Sequence, residues 1–329
     1  MGACANTALT LGPASGYNVY VLGAYSTSGN TDIQGSVAAG GNFTSTGPLS
    51  INEVPGSASP GTAGLVVGGN LTLDGGQLDN TNAGNAWVGG TVSSGSTYTL
   101  EHNLEYLGSS SLSNIVVDGT TTHLGSGAGT PIVTTFTNAA TSLANLSATL
   151  AGDTVNGTVS GSNGTYTLTG SSSTLNIFDL TGQSFSGLTI SAPAGSTVVV
   201  NISGSSSSFS NGGITYSGVT ANDVIFNFDA ATTVSVSAFT FAGSILAPDA
   251  TFTGTNGALN GELIAASVSG QTAEFESGDI FNGNLGSVAT PEPATWVLFG
   301  CAWSLLAALR VQRNRRSALC PQGADSLSR

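Results

Sequence analysis

The sequence predicts an all-β chain: a right-handed parallel β-helix, or solenoid, with one flanking amphipathic α-helix and a C-terminal transmembrane helix. The composition is Gly-rich and poor in charge, with 47 Gly in 329 residues and only 7% charged side chains. From residue 30 to 285, short β-branched or aromatic runs alternate with clusters of Gly, Ser, Asn and Asp, the signature of strands and turns. The runs also recur. One central apolar residue from each gives Val37, Val66, Val88 and Val116, then Ile177, Val199, Ile225, Ile245 and Ile264. Their spacing of roughly twenty to thirty residues is a solenoid period.

In such a fold each coil pairs with the coils before and after it, at about 4.8 Å per step. Three runs share a local pattern, Val37-Ala-Ala-Gly-Gly-Asn-Phe-Thr44, Val66-Val-Gly-Gly-Asn-Leu-Thr72 and Trp87-Val-Gly-Gly-Thr-Val-Ser93. A Gly pair entering a strand predicts a repeated bend with positive φ and close backbone approach. One segment breaks the β pattern. Phe136, Ala140, Leu143, Leu146 and Leu150 fall at helical spacing and Gly152 follows them, which predicts a helix over 135–151. Its polar face carries no charge, so its stability requires docking along the solenoid flank.

Charge is distributed unevenly. Residues 1–309 hold seventeen acidic side chains and no Lys or Arg, while Arg310, Arg313, Arg315, Arg316 and Arg329 cluster at the C-terminal end. Nucleic acid and anionic membrane surfaces would repel that acidic body, so both are excluded as its partners, whereas neutral glycans, calcium and protein surfaces remain. Cys4, Cys301 and Cys320 form neither a disulfide framework nor a metal-ligand spacing.

Ala294 to Leu309 is a run of 16 uncharged residues, about 24 Å as a helix, ending in the Arg cluster. With Val311 included and Arg310 snorkelling, 294–311 reads as a short span with its basic end in the cytoplasm. At the other end, Ala3-Cys4-Ala5 has the small-x-small pattern of a signal-peptidase site without a preceding apolar region. The expected division is therefore 1–9, a remnant of an export signal or a flexible N terminus; 10–284, the β-helix domain; 285–293, a linker; 294–311, the transmembrane helix; and 312–329, a basic cytoplasmic tail.

No catalytic residue is predicted, and no cofactor. The enzyme alternative is a polysaccharide-active β-helix using Glu274, Glu276 and Asp279, where strand alternation puts the two Glu on one face. A pectate-type lyase needs a Lys or Arg, which residues 1–309 lack. His102, in Glu101-His-Asn-Leu-Glu105, and His123 match no metalloprotease spacing and read as polar loop residues. Calcium between Asp and Asn corners stays open as a weak alternative, although the nonapeptide of calcium-binding β-rolls is absent. Thr97-Tyr-Thr99, Thr165-Tyr-Thr-Leu-Thr169 and Thr251-Phe-Thr-Gly-Thr255 raise a further alternative, binding of ice or a crystalline surface. That needs Thr stacked on one flat face, and the three motifs lie far apart in sequence. The sequons at Asn42, Asn70, Asn145, Asn156, Asn163 and Asn201 read as polar turns.

Thr290-Pro-Glu-Pro-Ala-Thr-Trp-Val-Leu-Phe-Gly, the apolar run and the Arg block together resemble the PEP-CTERM sorting signal. The resemblance implies a Gram-negative host in which an exosortase recognises Pro291, Glu292 and Pro293 and processes the tail. The body resembles the choice-of-anchor A family. The likeness lies in Leu11-Gly-Pro-Ala-Ser-Gly-Tyr-Asn-Val-Tyr-Val-Leu-Gly, Ile33-Gln-Gly-Ser-Val-Ala-Ala-Gly-Gly-Asn, the helix around Leu143, Phe241-Ala-Gly-Ser-Ile-Leu-Ala-Pro248 and Asn260-Gly-Glu-Leu-Ile-Ala265. It implies an adhesive β-helix. The expected protein is thus exported and non-catalytic, a cell-surface or biofilm-matrix component with exosortase and exopolysaccharide or surface glycans as partners.

Overall fold

Short runs of Val, Leu, Ile and Phe bounded by Gly, Ser and Asn do form strands, and nearly all of them pair in parallel. The computed structural model describes residues 5–28, 31–53, 63–78, 85–125 and 130–290. Within it, 9–286 is one compact body, a β-helix with three strand-bearing faces and one α-helix. Ala5–Ala8 and Ser287–Thr290 form a separate antiparallel pair. The predicted span at 294–311, the motif residues Pro291, Glu292 and Pro293, and the Arg cluster lie outside the described residues. Among the described residues no helix is long and apolar enough to cross a membrane.

The coils do not stack in sequence order. Starting at Val19–Val21, successive coils pair through Val37–Ala39, Leu65–Val67, Ala86–Val88, Leu104–Tyr106 and Thr121–His123. The chain then enters helix α1, Thr130–Ala151. It resumes far from where it left off, and the coils from Leu175–Thr181 onward run back until 263–265 pairs with 19–21. The last coil therefore sits on the first, a seam that corrects the expectation of purely sequential stacking. Periodicity reports that coils exist, but every coil end offers the same backbone edge, so it cannot report which two meet.

We call the side formed by these strands face A, the next side along each coil face B, and the third face C. Residues of face A alternate between the core and the helix. Val198 and Val200 point inward, while Val199 joins Ile177, Ile225, Leu246, Ile264, Tyr20 and Ala38 in an outer apolar stripe. Phe136, Ala139, Leu143, Leu146 and Leu150 of α1 bury against it, each large side chain contributing about 2 kcal/mol of apolar transfer. A polar ladder fixes the helix height. Asn227 Nδ2 donates to Asn201 Oδ1 (2.9 Å) and to the Ser147 carbonyl (2.9 Å), Ser147 Oγ donates to Asn227 Oδ1 (2.6 Å), and Asn201 Nδ2 donates to the Leu150 carbonyl (2.9 Å). The helix starts five residues before the predicted 135, with Pro131 in its first turn, where a missing N–H costs nothing. Apolar periodicity begins only at Phe136, which is why the sequence hides that first turn.

The Gly pairs make the corner between faces A and B, and half of the expectation for them fails. Gly40, Gly41, Gly68, Gly69, Gly89 and Gly90 all lack positive φ. What they supply is proximity: a Cβ on Gly68 would stand 2.3 Å from the Gly40 carbonyl oxygen. Beside them Asn42 Oδ1 accepts from the Asn70 amide and Asn70 Oδ1 from the Thr91 amide, each at 2.9 Å. Val116 also departs from expectation. It lies on face C, in register with Thr99, and is 47% exposed, so it marks a different face from Val37, Val66 and Val88.

The two halves of the body are filled differently. Coils of residues 19–123 use strands of two or three residues, whereas those after α1 use strands of up to 13 and place Phe178, Phe185, Phe209, Phe226, Phe239 and Phe241 in the interior. The hairpin Thr158–Ser162/Thr165–Thr169, turning at Asn163 (φ 53°) and Gly164 (φ 84°), covers the outer edge of face C there. After its last strand the chain runs back along the body. Asn284 donates from its amide to Thr197 Oγ1 (2.7 Å), and the Leu9 amide donates to the Gly286 carbonyl (3.0 Å), so the body is entered and left at one place.

Candidate functional site

Face A is closed by α1 along much of its length, which leaves faces B and C to meet other matter. On face B, strand alternation turns one residue of each short strand outward and its neighbours in. The inward series Val234, Phe252, Val268, Tyr25, Phe43, Leu71 and Val92 is buried in the core. The outward series beside it is Ser184, Ser208, Ser235 and Thr253, followed beyond the seam by Ser26, Thr44, Thr72, Ser93 and Ser111. Every one of these side chains is a hydroxyl.

Where the strands are longest the single file becomes three columns. Ser206, Ser208 and Ser210 lie in register with Thr233, Ser235 and Ser237, and these with Thr251, Thr253 and Thr255. Neighbouring rows are about 4.8 Å apart and alternate residues about 6.7 Å apart, so nine hydroxyls form an uncharged grid. Some bond to neighbouring hydroxyls outside the grid or to the backbone: Thr251 Oγ1 and Ser267 Oγ are 2.9 Å apart, and Ser208 Oγ donates to the Gln183 carbonyl at 3.1 Å. All nine side chains remain half-buried or exposed.

Face C carries a second, smaller hydroxyl patch. Thr167, Thr189 and Thr215 are in register, with Thr189 Oγ1 and Thr215 Oγ1 3.1 Å apart. The three Thr motifs thus separate, Thr165–Thr169 and Thr99 on face C at different heights and Thr251–Thr255 on face B. Stacking partners for Thr251–Thr255 come from Thr233–Ser237 and Ser206–Ser210, rows that the sequence reading did not pair. The signal was present as alternation of hydroxyl and apolar residues at 206–210 and 233–237.

The carboxylates reach a different arrangement from the one the sequence suggests. Glu274 and Glu276 do share face C, flanking buried Phe275. Asp279 lies past the strand, where Asn260 Nδ2 donates to its Oδ2 (2.7 Å), and partial burial raises its carboxyl above the ordinary value. Across the seam Glu274 faces Asp32 of coil 1, which Glu53 of coil 2 also approaches. Burial, then Glu274, then Glu53 push the Asp32 carboxyl upward. Three clefts bordered by described residues have no carboxylate in their linings. His123 Nε2 lies 3.0 Å from the Leu107 carbonyl with its ring stacked on Tyr106, and the His102 carbonyl accepts from Gly119. Among the described residues no group of three His, Cys, Asp or Glu side chains is placed to hold a metal ion.

The body that carries these hydroxyl rows matches a known family. The profile of the ice-binding-like adhesive domain matches residues 10–277. The chain belongs to this family. The adhesive domain thus spans the body described above. Among solved structures it is similar to an ice-binding protein of the Antarctic ascomycete Antarctomyces psychrotrophicus, at 14% identity and a TM-score of 0.36, covering 82% of this chain and 98% of that one. An ice-binding protein domain of Shewanella frigidimarina matches at 13% identity and a TM-score of 0.34, covering 85% and 99%. The Arctic yeast protein LeIBP matches at 13% identity and a TM-score of 0.30, covering 87% and 96%. No curated protein matches the chain.

Proposed function

We propose that this adhesive domain is an exported, non-catalytic component of the cell surface or extracellular matrix that lays face B against a hydroxyl-rich repeating material, with exopolysaccharide as its partner. The observation that supports this reading is the grid at Ser206–Ser210, Thr233–Ser237 and Thr251–Thr255. A single hydroxyl contact contributes only about 1 kcal/mol net, but a grid held by a rigid backbone adds many in register with little further ordering cost. The acidic body disfavours anionic partners, so a neutral polymer suits it best.

A second reading is ice binding, favoured by the alignment of Thr233 with Thr251. Thr is stiff at χ1, as an ordered solid requires, but Ser fills most other positions of the grid and rotates more freely. The experiment measures adsorption of the full-length chain to insoluble polysaccharides and, separately, to growing ice, for the wild type and Ser235→Tyr/Thr253→Tyr. Loss of polysaccharide adsorption in the variant is expected. Unchanged adsorption would sink the face B reading, and loss on ice alone would promote the second one.

We also propose that Pro291, Glu292 and Pro293, the apolar run and Arg310, Arg313, Arg315 and Arg316 act as a sorting signal for an exosortase. Two Pro residues fix φ and remove donors, which keeps the chain extended before a span. Replacing all three motif residues by Ala should leave an uncleaved precursor in the inner membrane. Export at wild-type size and amount would refute it.

A further inference from the structure

The seam where the last coil meets the first is fully paired on face A, Val19–Val21 against Leu263–Ala265, but thin on face C. Elsewhere neighbouring short strands of face C pair over three residues, but across the seam only Phe275 pairs with Ile33. Face B pairs Val268 with Tyr25 and Gln271 with Thr27, with a register shift between them. Side chains supplement this thin ladder. Thr31 Oγ1 donates to the Ala273 carbonyl (2.7 Å), Gln34 Oε1 accepts from the Ser277 amide (3.1 Å), and Asn18 Nδ2 donates to the carbonyls of Gly261 and Glu276.

Carboxyl groups crowd the same place. Asp32, on the first coil, is faced by Glu274 from the last coil and by Glu53 from the second, and Glu276 shares the Glu274 face. Glu262, which begins the last coil, is fully buried and neither carboxyl oxygen has a hydrogen-bond partner. Burial alone acts on it, raising its carboxyl well above the ordinary value. No Lys or Arg exists in residues 1–309 to neutralise any of them.

We propose that this seam is a pH-gated joint: closed in mild acid, it opens locally as its carboxyl groups ionise, separately from the ladders inside either half. An ionised Asp32 is repelled by Glu274 across the junction, and a charged Glu262 demands water that only opening admits. The two halves stay linked through α1, so opening is a local event rather than unfolding.

The test is amide hydrogen exchange of the full-length chain at pH 5 and pH 8, corrected for intrinsic rates. Reporter amides across the seam are Gly23, Gln34, Leu263 and Val268; controls are Gly68 and Gly89 in one half and Thr197 and Thr251 in the other. Seam protection should fall at least tenfold at pH 8 while the controls hold. Asp32→Asn/Glu262→Gln/Glu274→Gln should abolish the difference. Should that variant misfold, Glu274→Gln alone, at an exposed position, should still reduce it. His102 and His123 lie on coils away from the seam. Seam and control amides responding alike, or a pH response untouched by Glu274→Gln, would overturn the proposal.

Discussion

The side-chain amide of Asn18 donates to the carbonyl of Gly261 at 2.6 Å, across 243 positions of sequence. The same nitrogen reaches the Glu276 carbonyl at 3.0 Å, and Asn18 Oδ1 accepts from the Gly35 amide at 3.2 Å. One buried side chain thereby binds both ends of the solenoid sequence at one corner.

Replacing Asn18 by Ala strands these groups in the interior and should cost about 3 kcal/mol. Asn18→Asp should cost more, since a carboxylate cannot donate and would be buried with its charge. Denaturant midpoints of the three proteins check both statements, and an Asp variant as stable as Ala would contradict the donor argument.

Gly68→Ala should destabilise the body by about 3 kcal/mol or more, because its Cβ would collide with backbone that has no room to retreat. Gly125, with open space around its Cβ position and no positive φ, is the control; Gly125→Ala should change stability by less than about 0.5 kcal/mol. Thermal unfolding of both variants provides the comparison.

Leu143→Ala should cost about 2 to 5 kcal/mol by opening a cavity between α1 and face A. Asn227→Ala should release Ser147 and Asn201 together and loosen the helix without emptying the core. Exchange of the α1 amides, compared with that of Val198 and Val200, separates these two outcomes.

Stability should fall as the pH rises from acid. Glu262 is held protonated in the folded chain by burial, while an unfolded Glu titrates near pH 4.3. Between that pH and its raised folded value the native state binds the extra proton, so stability is greatest below the window and declines through it, by at most about 1.4 kcal/mol per unit for this group. Asp32 adds a contribution of the same sign. Glu262→Gln should be more stable than the wild type at pH 8 and show a shallower decline in chemical denaturation.

Strand chemistry, the solenoid period and the docked helix were legible because each leaves a local mark, such as the Leu143, Leu146 and Leu150 spacing or the Gly40–Gly41 pair. The pairing of Val19 with Leu263 leaves none, because any Val-rich strand edge fits any other. The hydroxyl grid was hidden for the same reason. Ser208, Ser235 and Thr253 look like ordinary solvated positions until register aligns them. Asp32 and Glu274 likewise gain a common neighbourhood only when the solenoid closes on itself.

The contact between Leu9 and Gly286 has a bearing on how such a body can be inherited and mounted. A unit whose two chain ends emerge side by side can be grafted into a host polypeptide at one peptide bond without stretching either flank. Different stalks and anchors could then carry the same head interchangeably. A mechanical load arriving through either flank would enter at that one point and pass into the stack beside Thr197.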